Sequence, residues 1–232
     1  MPALLEDPLT TLPAPPAAQT AAPTLLPRKA TLKDATPVTL YPIAGGPATV
    51  PDSLIAYLHQ EFSAEIVRGS TYPMEEPMTL ETFRGYWFGT FAVVAVVDED
   101  GAGAGAGAGA DGAGKGLGLV EGRDWARVCL GTFYVKPNYP GRCSHVCNAG
   151  FFTTPAARGR GVGMVMGQTY LEVAPVLGYK YSVFNLVFAN NTASVRIWEK
   201  LGFQVIGRVP RAARLANSTE LVDALIIGRD LV

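Results

Sequence analysis

The sequence has few cysteines, few charges and no excess of either sign. Its 232 residues include three cysteines, Cys129, Cys143 and Cys147. An odd number of cysteines, in a chain long enough to build its own core, rules out a disulfide framework. Charged residues make up 17%, with 19 Lys and Arg against 20 Asp and Glu. We therefore expect a reducing compartment, the cytoplasm with the mitochondrion as the alternative, and no nucleic-acid partner.

A continuous hydrophobic span is also missing. Residues 8–27 carry no charge, but prolines interrupt them throughout, which excludes a membrane-spanning helix. The same stretch lacks the basic start and apolar centre of a secretory signal. The sequence therefore predicts no membrane partner.

Apolar residues make up 48% of the chain, which is enough for one folded domain. Residues 1–35 are rich in Pro, Ala and Thr and are predicted to be a disordered tail, so deleting residues 1–30 should leave activity intact. The domain is predicted to cover residues 36–232. Within it, the Gly/Ala tract at 100–118 cannot pack a core and is predicted to be a flexible loop.

Hydrophobic patterns in the domain predict a mixture of strands and helices. A helix should begin near Asp52 and end at Gly69, and strands at 88–97 and 128–135 should form a hairpin with a long loop. Toward the C terminus the order is strand, helix, strand, helix, strand, strand. This order predicts a mixed α/β sheet whose first two strands in this region are parallel and joined by a right-handed crossover.

A glycine-rich turn, "RGRGVG" at 158–163, lies between a predicted strand and a predicted helix. Its bare backbone and the helix dipole make it a candidate anion site, and a phosphate-bearing ligand would suit it. The dinucleotide-binding pattern fails because Met164 replaces its last glycine, and the Gly-Lys-Ser/Thr of a P-loop is missing. Plain turn packing remains the alternative to phosphate binding.

Two segments resemble signatures of the GCN5-related N-acetyltransferase (GNAT) superfamily. In "FFTTPAARGRGVG", Pro155, Arg158, Gly161 and Gly163 take the positions of its acetyl-CoA-binding motif, and "NTASVRIWEKLGF" at 191–203 resembles its second signature. The resemblance implies an α/β GNAT fold, with a mixed central β-sheet, parallel strands that splay at the cofactor site, and flanking helices. It also implies acetyl-CoA as co-substrate and no metal.

Longer segments, among them "LGTFYVKPNYPGRCSHVCNAGF" and "APVLGYKYSVFNLVF", are similar to fungal N-acetyltransferases that detoxify the proline analogue L-azetidine-2-carboxylate. This similarity implies acetyl transfer to the nitrogen of a small cyclic imino acid: azetidine-2-carboxylate, cis-4-hydroxyproline or a proline-pathway intermediate. It further implies a homodimer. Direct attack in a ternary complex is expected because no residue is placed as a covalent nucleophile. The alternatives are an acetyltransferase for other amines or protein lysine, and a non-catalytic acyl-CoA-binding protein.

The resemblance also implies roles for individual residues. Backbone N–H groups of the glycine turn would hold the pyrophosphate, and the preceding strand would hold the pantetheine arm and polarise the thioester carbonyl. Asn148 and Asn185 would be the catalytic and substrate-binding asparagines, positioning the acceptor beside the thioester. Independently of the resemblance, Tyr72 and Trp87 are candidates to line the acceptor pocket, with core packing as the alternative, and we select Tyr72 as the substrate-binding one. The cofactor-binding residues would be Phe152, Thr153, Arg158, Gly159, Arg160, Gly161, Val162, Gly163 and Asn191.

Several roles keep alternatives. Asn191 suits a helix cap, and Asn148 and Asn185 suit satisfied core amides. Trp198 stands where many superfamily members have the tyrosine that protonates the leaving thiolate, and an indole cannot do so. Water would then supply the proton, or the thiolate would leave unprotonated.

The "CSHVC" segment at 143–147 suggests three further roles, none of which we favour. His145 has a suitable pKa range for a general base, although a surface or structural histidine fits better. Cys143, His145 and Cys147 would share one face of a strand, but their spacing matches no known zinc site. Cys147 is the sole candidate for a covalent acyl-enzyme.

Overall fold

A computed structural model describes residues 12–98, 118–216 and 218–232. Residues 1–11 of the predicted tail and all of the predicted Gly/Ala loop except Gly118 lie outside these ranges. The described strands are β1 (Arg28–Thr31), β2 (Pro37–Ile43), β3 (Phe91–Val97), β4 (Cys129–Pro137), β5 (Val146–Thr153), β6 (Tyr181–Phe188), β7 (Gln204–Ala213) and β8 (Val222–Asp230). They form one sheet in the order β1-β2-β3-β4-β5-β6-β8-β7.

Helices lie on both faces of this sheet. They are α1 (Pro16–Ala21), α2 (Asp52–Arg68), α3 (Leu80–Phe88), α4 (Trp125–Val128), α5 (Val162–Val176) and α6 (Thr192–Lys200). Val93 and Ala95 of β3 pack in the hydrophobic cluster with α5, whereas Val94 and Val96 pack in the cluster with α2 and α3. Alternate residues of a strand face opposite sides, so β3 is covered on both faces. The predicted α/β class is confirmed.

Helix α2 begins and ends where the sequence predicts. Its apolar side chains recur every three or four residues and are buried against the sheet. Gly69 ends the helix with a φ of 62°, a left-handed conformation that glycine adopts readily, and its N–H donates to the carbonyls of Glu65 and Ile66. Among the residues described, no helix has the length and apolar character needed to cross a membrane.

Strands β5 and β6 are the parallel pair of the sheet. These strands are parallel and connected through α5, as predicted, but they pair only at Val146 with Tyr181 and at Cys147 with Ser182. Beyond these residues β5 stays with β4, while β6 stays with β8. The two strands therefore diverge toward their C-terminal ends.

The N-terminal segment differs from the expectation of a disordered tail through residue 35. Strand β1 pairs with β2 from Arg28 with Leu40 to Thr31 with Pro37. Ala18 and Ala22 are buried in the cluster around α5, and Arg28 forms an ion pair with Glu172 of α5 at 2.6 Å. The sheet therefore begins before residue 36. Composition does not reveal this, because small alanines fill the space beside α5 and the backbone of β1 completes the edge of β2.

Candidate active site

A cavity of about 830 Å³ lies where β5 and β6 diverge. Its walls are the diverging strands, the glycine turn at 158–163, helix α6 and the segment that follows α2. Neighbouring strands in a sheet are normally about 4.8 Å apart, which leaves no room for a ligand. The divergence itself therefore creates the site.

The glycine turn lines this cavity with all of its residues except Arg160. Gly159 and Gly161 have φ values of 77° and 90°, and Gly161 caps α5 without a side-chain hydrogen bond. In the described part of the chain, the N–H groups of residues 159–163 donate to no backbone acceptor, whereas the N–H of Arg158 donates to the Pro155 carbonyl at 3.3 Å. Unpartnered N–H groups at the N terminus of a 15-residue helix suit an anion.

The two arginines of the turn are both held by carboxylates. The Arg160 side chain bonds Asp34 at 2.7 Å and Thr36 at 2.8 Å, and it does not line the cavity. This hydrogen bond from Arg160, with help from Thr36, lowers the pKa of Asp34 to about 2. Arg158 bonds Glu65 at 2.6 Å. The turn is thus fixed from two sides, by the β1–β2 hairpin and by α2.

Glu65 is a buried carboxylate that sequence reasoning missed. It is 3% exposed and accepts hydrogen bonds from Arg158, from Arg68 and, at 2.7 Å, from Thr71. A glutamate three residues after Phe62, on the apolar face of α2, is the sequence signal that marks it. The carboxylate links α2, the segment after it and the glycine turn.

The register of β5 decides which backbone groups face the cavity. The Thr154 N–H donates to the Leu130 carbonyl at 3.0 Å, and Phe152 lies opposite Thr132. Bonded pairs alternate along an antiparallel ladder, so the Phe152 backbone points at β4, and those of Phe151 and Thr153 point away from it. Consistent with this, the Phe151 carbonyl accepts from the Tyr72 hydroxyl at 2.7 Å.

Both predicted residues, Phe152 and Thr153, line the cavity, and so does Phe151. The backbone of Phe152 is directed at β4 and its side chain is buried in the cluster under α2, whereas the backbones of Phe151 and Thr153 are directed away from β4. A shift of one residue along a strand reverses the direction of every backbone group, and the sequence alone does not fix that parity.

Asn148 and Asn185 both line the cavity, one on each diverging strand. Asn148 is 3% exposed, and its Oδ1 accepts from the Ala149 N–H at 2.7 Å. The Asn185 amide makes two hydrogen bonds with Asn138, donating at 2.7 Å and accepting at 3.3 Å. Asn138 is fully buried and was missed, because its role depends on a contact with Asn185, 47 positions away in the sequence.

Asn191 and Trp198 form the wall contributed by α6. Asn191 caps the helix by accepting from the Ser194 N–H at 3.2 Å, which is the alternative role noted for it, and it also lines the cavity. Trp198 donates its indole N–H to Ser194, and its ring packs at 4.7 Å from those of Phe151 and Phe184. Trp198 therefore packs the wall of the cavity, and its indole cannot act as an acid.

Tyr72 and Tyr134 bound the end of the cavity near Asn148. The Tyr134 hydroxyl is 2.9 Å from that of Tyr86. A Cβ added to Gly150 would lie 2.7 Å from Cζ and 2.8 Å from Oη of Tyr134. Glycine at 150 therefore allows the Tyr134 ring to reach this end of the cavity.

The three residues of the "CSHVC" segment do not form a site. Cys143 and His145 are exposed, and neither lines the cavity. Cys147 is buried 3.0 Å from the Tyr170 hydroxyl in the cluster around α5, and burial raises the pKa of its thiol to about 12. Across the described ranges, no three His, Cys, Asp or Glu side chains are grouped to hold a metal ion.

Comparison with known proteins gives consistent matches. Residues 64–203 match the acetyltransferase (GNAT) family. N-acetyltransferase aca1 of Schizosaccharomyces pombe is 39% identical over 175 residues, which are 75% of this chain and 79% of that protein. A GCN5-related N-acetyltransferase from Kribbella flavida superposes with a TM-score of 0.62 at 27% identity, covering 82% of this chain and 97% of that one.

A third protein has the same fold at lower identity. It is yncA of Salmonella typhimurium, whose structure contains its cofactor acetyl-CoA. The TM-score is 0.58 at 14% identity, over 83% of this chain and 94% of that one.

Proposed function

Because this chain belongs to the GNAT family of acetyltransferases, we propose that it acetylates the nitrogen of a small cyclic imino acid by direct attack in a ternary complex. The family makes it an acetyl-CoA-dependent N-acetyltransferase. The proposal adds the acceptor: azetidine-2-carboxylate, cis-4-hydroxyproline or a proline-pathway intermediate, with detoxification of proline analogues as the role. The observation that carries it is that Asn148 and Asn185 both line the cavity that the glycine turn also lines.

The residues of the turn and of β5 fit acetyl-CoA. The free N–H groups of residues 159–163 suit its diphosphate, and the backbone of Thr153 suits the amides of its pantetheine arm. Bound acetyl-CoA supplies an activated acyl carbon. The Phe151 N–H faces away from β4 and is the candidate donor for negative charge that develops on the acyl oxygen.

The other end of the cavity suits a small polar acceptor. The side chains of Asn148, Asn185, Tyr72 and Tyr134 offer neutral donors and acceptors there, which can bind both a carboxylate and a ring nitrogen. Positioning by such groups makes the attack effectively unimolecular. Because neither histidine of the chain lines the cavity, we expect the deprotonated acceptor to react, so the rate should rise as the acceptor loses its proton.

Direct attack is supported by the environment of Cys147. Its thiol is buried among the residues around α5, and a pKa of about 12 leaves almost no thiolate near neutral pH. Cys147 is thus a poor nucleophile for an acyl-enzyme. The acceptor nitrogen is then left to attack the thioester itself.

The test is an acceptor panel with acetyl-CoA, followed by the release of free thiol. We expect turnover with azetidine-2-carboxylate, cis-4-hydroxyproline or proline, and little with lysine peptides or arylalkylamines. Asn148→Ala and Asn185→Ala should lower turnover while CoA affinity is kept, and Asn190→Ala, at an exposed position, is the matched control. Preference for lysine peptides, or CoA binding without turnover of any acceptor, would refute the proposed acceptor.

We also propose a homodimer formed through β7. Among the described residues, this strand ends the sheet and has one edge without a neighbouring strand. Its Val205, Ile206 and Val209 are 56%, 51% and 40% exposed. A second copy of β7 is the natural partner for such an edge. Analytical ultracentrifugation should give a dimer, and Ile206→Lys should give a monomer; a wild-type monomer at micromolar concentration would contradict the proposal.

A reducing compartment, the cytoplasm with the mitochondrion as the alternative, is likewise proposed. All three cysteines are free, which supports it. Imaging of a fluorescent fusion of the full chain, with markers for both compartments, would decide between them. A secreted fusion would exclude both.

A further inference from the structure

The hairpin formed by β1 and β2 brings a lysine to the glycine turn. The Lys33 N–H donates to the Arg160 carbonyl at 3.4 Å. A Cβ added to Gly161 would lie 3.1 Å from Cγ, 3.3 Å from Cδ and 3.4 Å from Cε of Lys33, so the aliphatic stem passes directly over Gly161. Lys33 also lines the cavity.

Lys33 differs from the other two cations at the turn. Arg158 is paired with Glu65, and Arg160 is paired with Asp34. Lys33 is exposed, and within the described ranges it has no ion pair or side-chain hydrogen bond. Its neighbour Asp34 is occupied by Arg160 and does not neutralise it. The Lys33 ammonium group is therefore an uncommitted positive charge beside the unpartnered N–H groups of the turn.

We propose that Lys33 binds a phosphate group of acetyl-CoA and that the N-terminal hairpin is part of the cofactor site. This inference rests on the proposed cofactor-binding role of the turn. The match to the GNAT family begins at residue 64, so the family pattern does not include this lysine. An anion held by the N–H groups of the turn would lie beside Gly161, within reach of the ammonium group, which would add a charge-assisted hydrogen bond.

Calorimetric titration of the full chain with CoA tests this proposal. Lys33→Gln should weaken CoA binding about tenfold, the effect of losing one charge-assisted hydrogen bond. Lys33→Arg should restore most of the affinity. Lys29→Gln is the matched control, because Lys29 is exposed on the same hairpin and does not line the cavity. Unchanged melting temperatures would show that the variants stay folded.

Shorter ligands identify which phosphate is bound. If Lys33 binds the 3′-phosphate, wild type and Lys33→Gln should bind dephospho-CoA equally. If it binds the diphosphate, the difference should persist with dephospho-CoA, and both proteins should use acetyl-pantetheine as acetyl donor equally well. The affinity of wild type for CoA should also fall more steeply with added salt than that of Lys33→Gln.

The outcomes separate the two levels of the proposal. Equal CoA affinity of wild type, Lys33→Gln and Lys29→Gln overturns the role of Lys33 and leaves the acetyltransferase function standing. A wild-type chain that binds no CoA overturns both. An equal loss in the Lys33 and Lys29 variants would indicate a general charge effect and also overturn the specific contact.

Discussion

At the residue scale, the paired amides of Asn138 and Asn185 show how a fully buried residue can orient a half-buried one that lines the cavity. Asn138 has no access to the cavity, yet its amide makes both hydrogen bonds that fix Asn185. An amide held at two points has one orientation, which decides where it presents a donor or an acceptor. Asn138 is therefore a positioning residue.

Asn138→Ala should reduce kcat/KM for the acceptor about 5- to 30-fold, corresponding to roughly 1–2 kcal/mol for a lost amide pair. The KM for acetyl-CoA should stay the same, because the turn at 158–163 is untouched. Steady-state kinetics with both substrates varied would measure the two effects, with Asn190→Ala as control. Equal losses toward both substrates would indicate general unfolding instead.

Cysteine reactivity provides a second prediction at this scale. Burial raises the pKa of both Cys129 and Cys147 to about 12, so their thiols stay protonated between pH 6 and 9, whereas Cys143 is exposed. Titration of the native protein with Ellman's reagent at pH 8 should therefore modify one thiol per chain, and Cys143→Ser should remove that reaction without loss of activity.

An acetylated Cys147 in a rapid-quench mass spectrum would contradict direct attack.

Some residues of the candidate site could be predicted from the local sequence, and others could not. The glycine turn and Asn148 and Asn185 were predictable, because each matches a functional position in a segment that resembles a known family. Asn138 and Phe151 lie in the similar segment at 130–151 as well, but their roles could not be predicted from it. The first depends on a contact between residues 47 positions apart, and the second on the hydrogen-bonding parity of a strand.

At the element scale, Glu65 joins three pieces of the chain. Its carboxylate receives Arg158 from the glycine turn, and Arg68 and Thr71 from the end of α2 and the segment beyond. That segment also carries Tyr72, which bonds the Phe151 carbonyl on β5. The glycine turn and the cavity wall at Tyr72 therefore share one buried anchor.

Glu65→Gln should lower the free energy of unfolding by about 2 kcal/mol and raise the KM for acetyl-CoA. Glutamine keeps the size of the side chain but loses the negative charge that holds the guanidinium groups of Arg158 and Arg68. These groups are 44% and 45% exposed, so the loss of their ion pairs costs less stability than it would for fully buried charges. Urea denaturation and steady-state kinetics would measure the two effects. Glu61→Gln, one turn earlier on α2, is the control and should change neither.

Elements with a strong repeating pattern were predictable from sequence. Helix α2 follows its hydrophobic periodicity, strand β3 follows its continuous apolar run, and the turn before α5 follows its glycines. Strand β1 has only four residues, Arg28–Thr31, with no apolar alternation to mark it. It exists because β2 offers a backbone edge, a tertiary cause that local sequence does not contain.

At the scale of the whole molecule, the N-terminal segment joins the sheet to the active site. The hairpin of β1 and β2 lies at one end of the sheet, yet its tip contacts the glycine turn through Lys33, Asp34 and Thr36. The mixed sheet and its parallel pair followed from the order of elements. The strand order and the return of the first hairpin to the turn did not, because both arise from packing between distant segments.

Composition predicts that residues 1–30 are dispensable for activity, but the packing of residues 16–31 predicts the opposite. A chain that starts at residue 28 loses α1, with the buried Ala18 and Ala22, and a chain that starts at residue 32 also loses β1. Both chains keep Lys33. Loss of the β1 hydrogen bonds should lower the free energy of unfolding by roughly 2–4 kcal/mol. CoA affinity should fall in the shorter chain, since the hairpin tip is no longer fixed. Urea denaturation and calorimetry on both chains would measure this, and full stability and CoA affinity in the chain starting at residue 32 would contradict a structural role for β1.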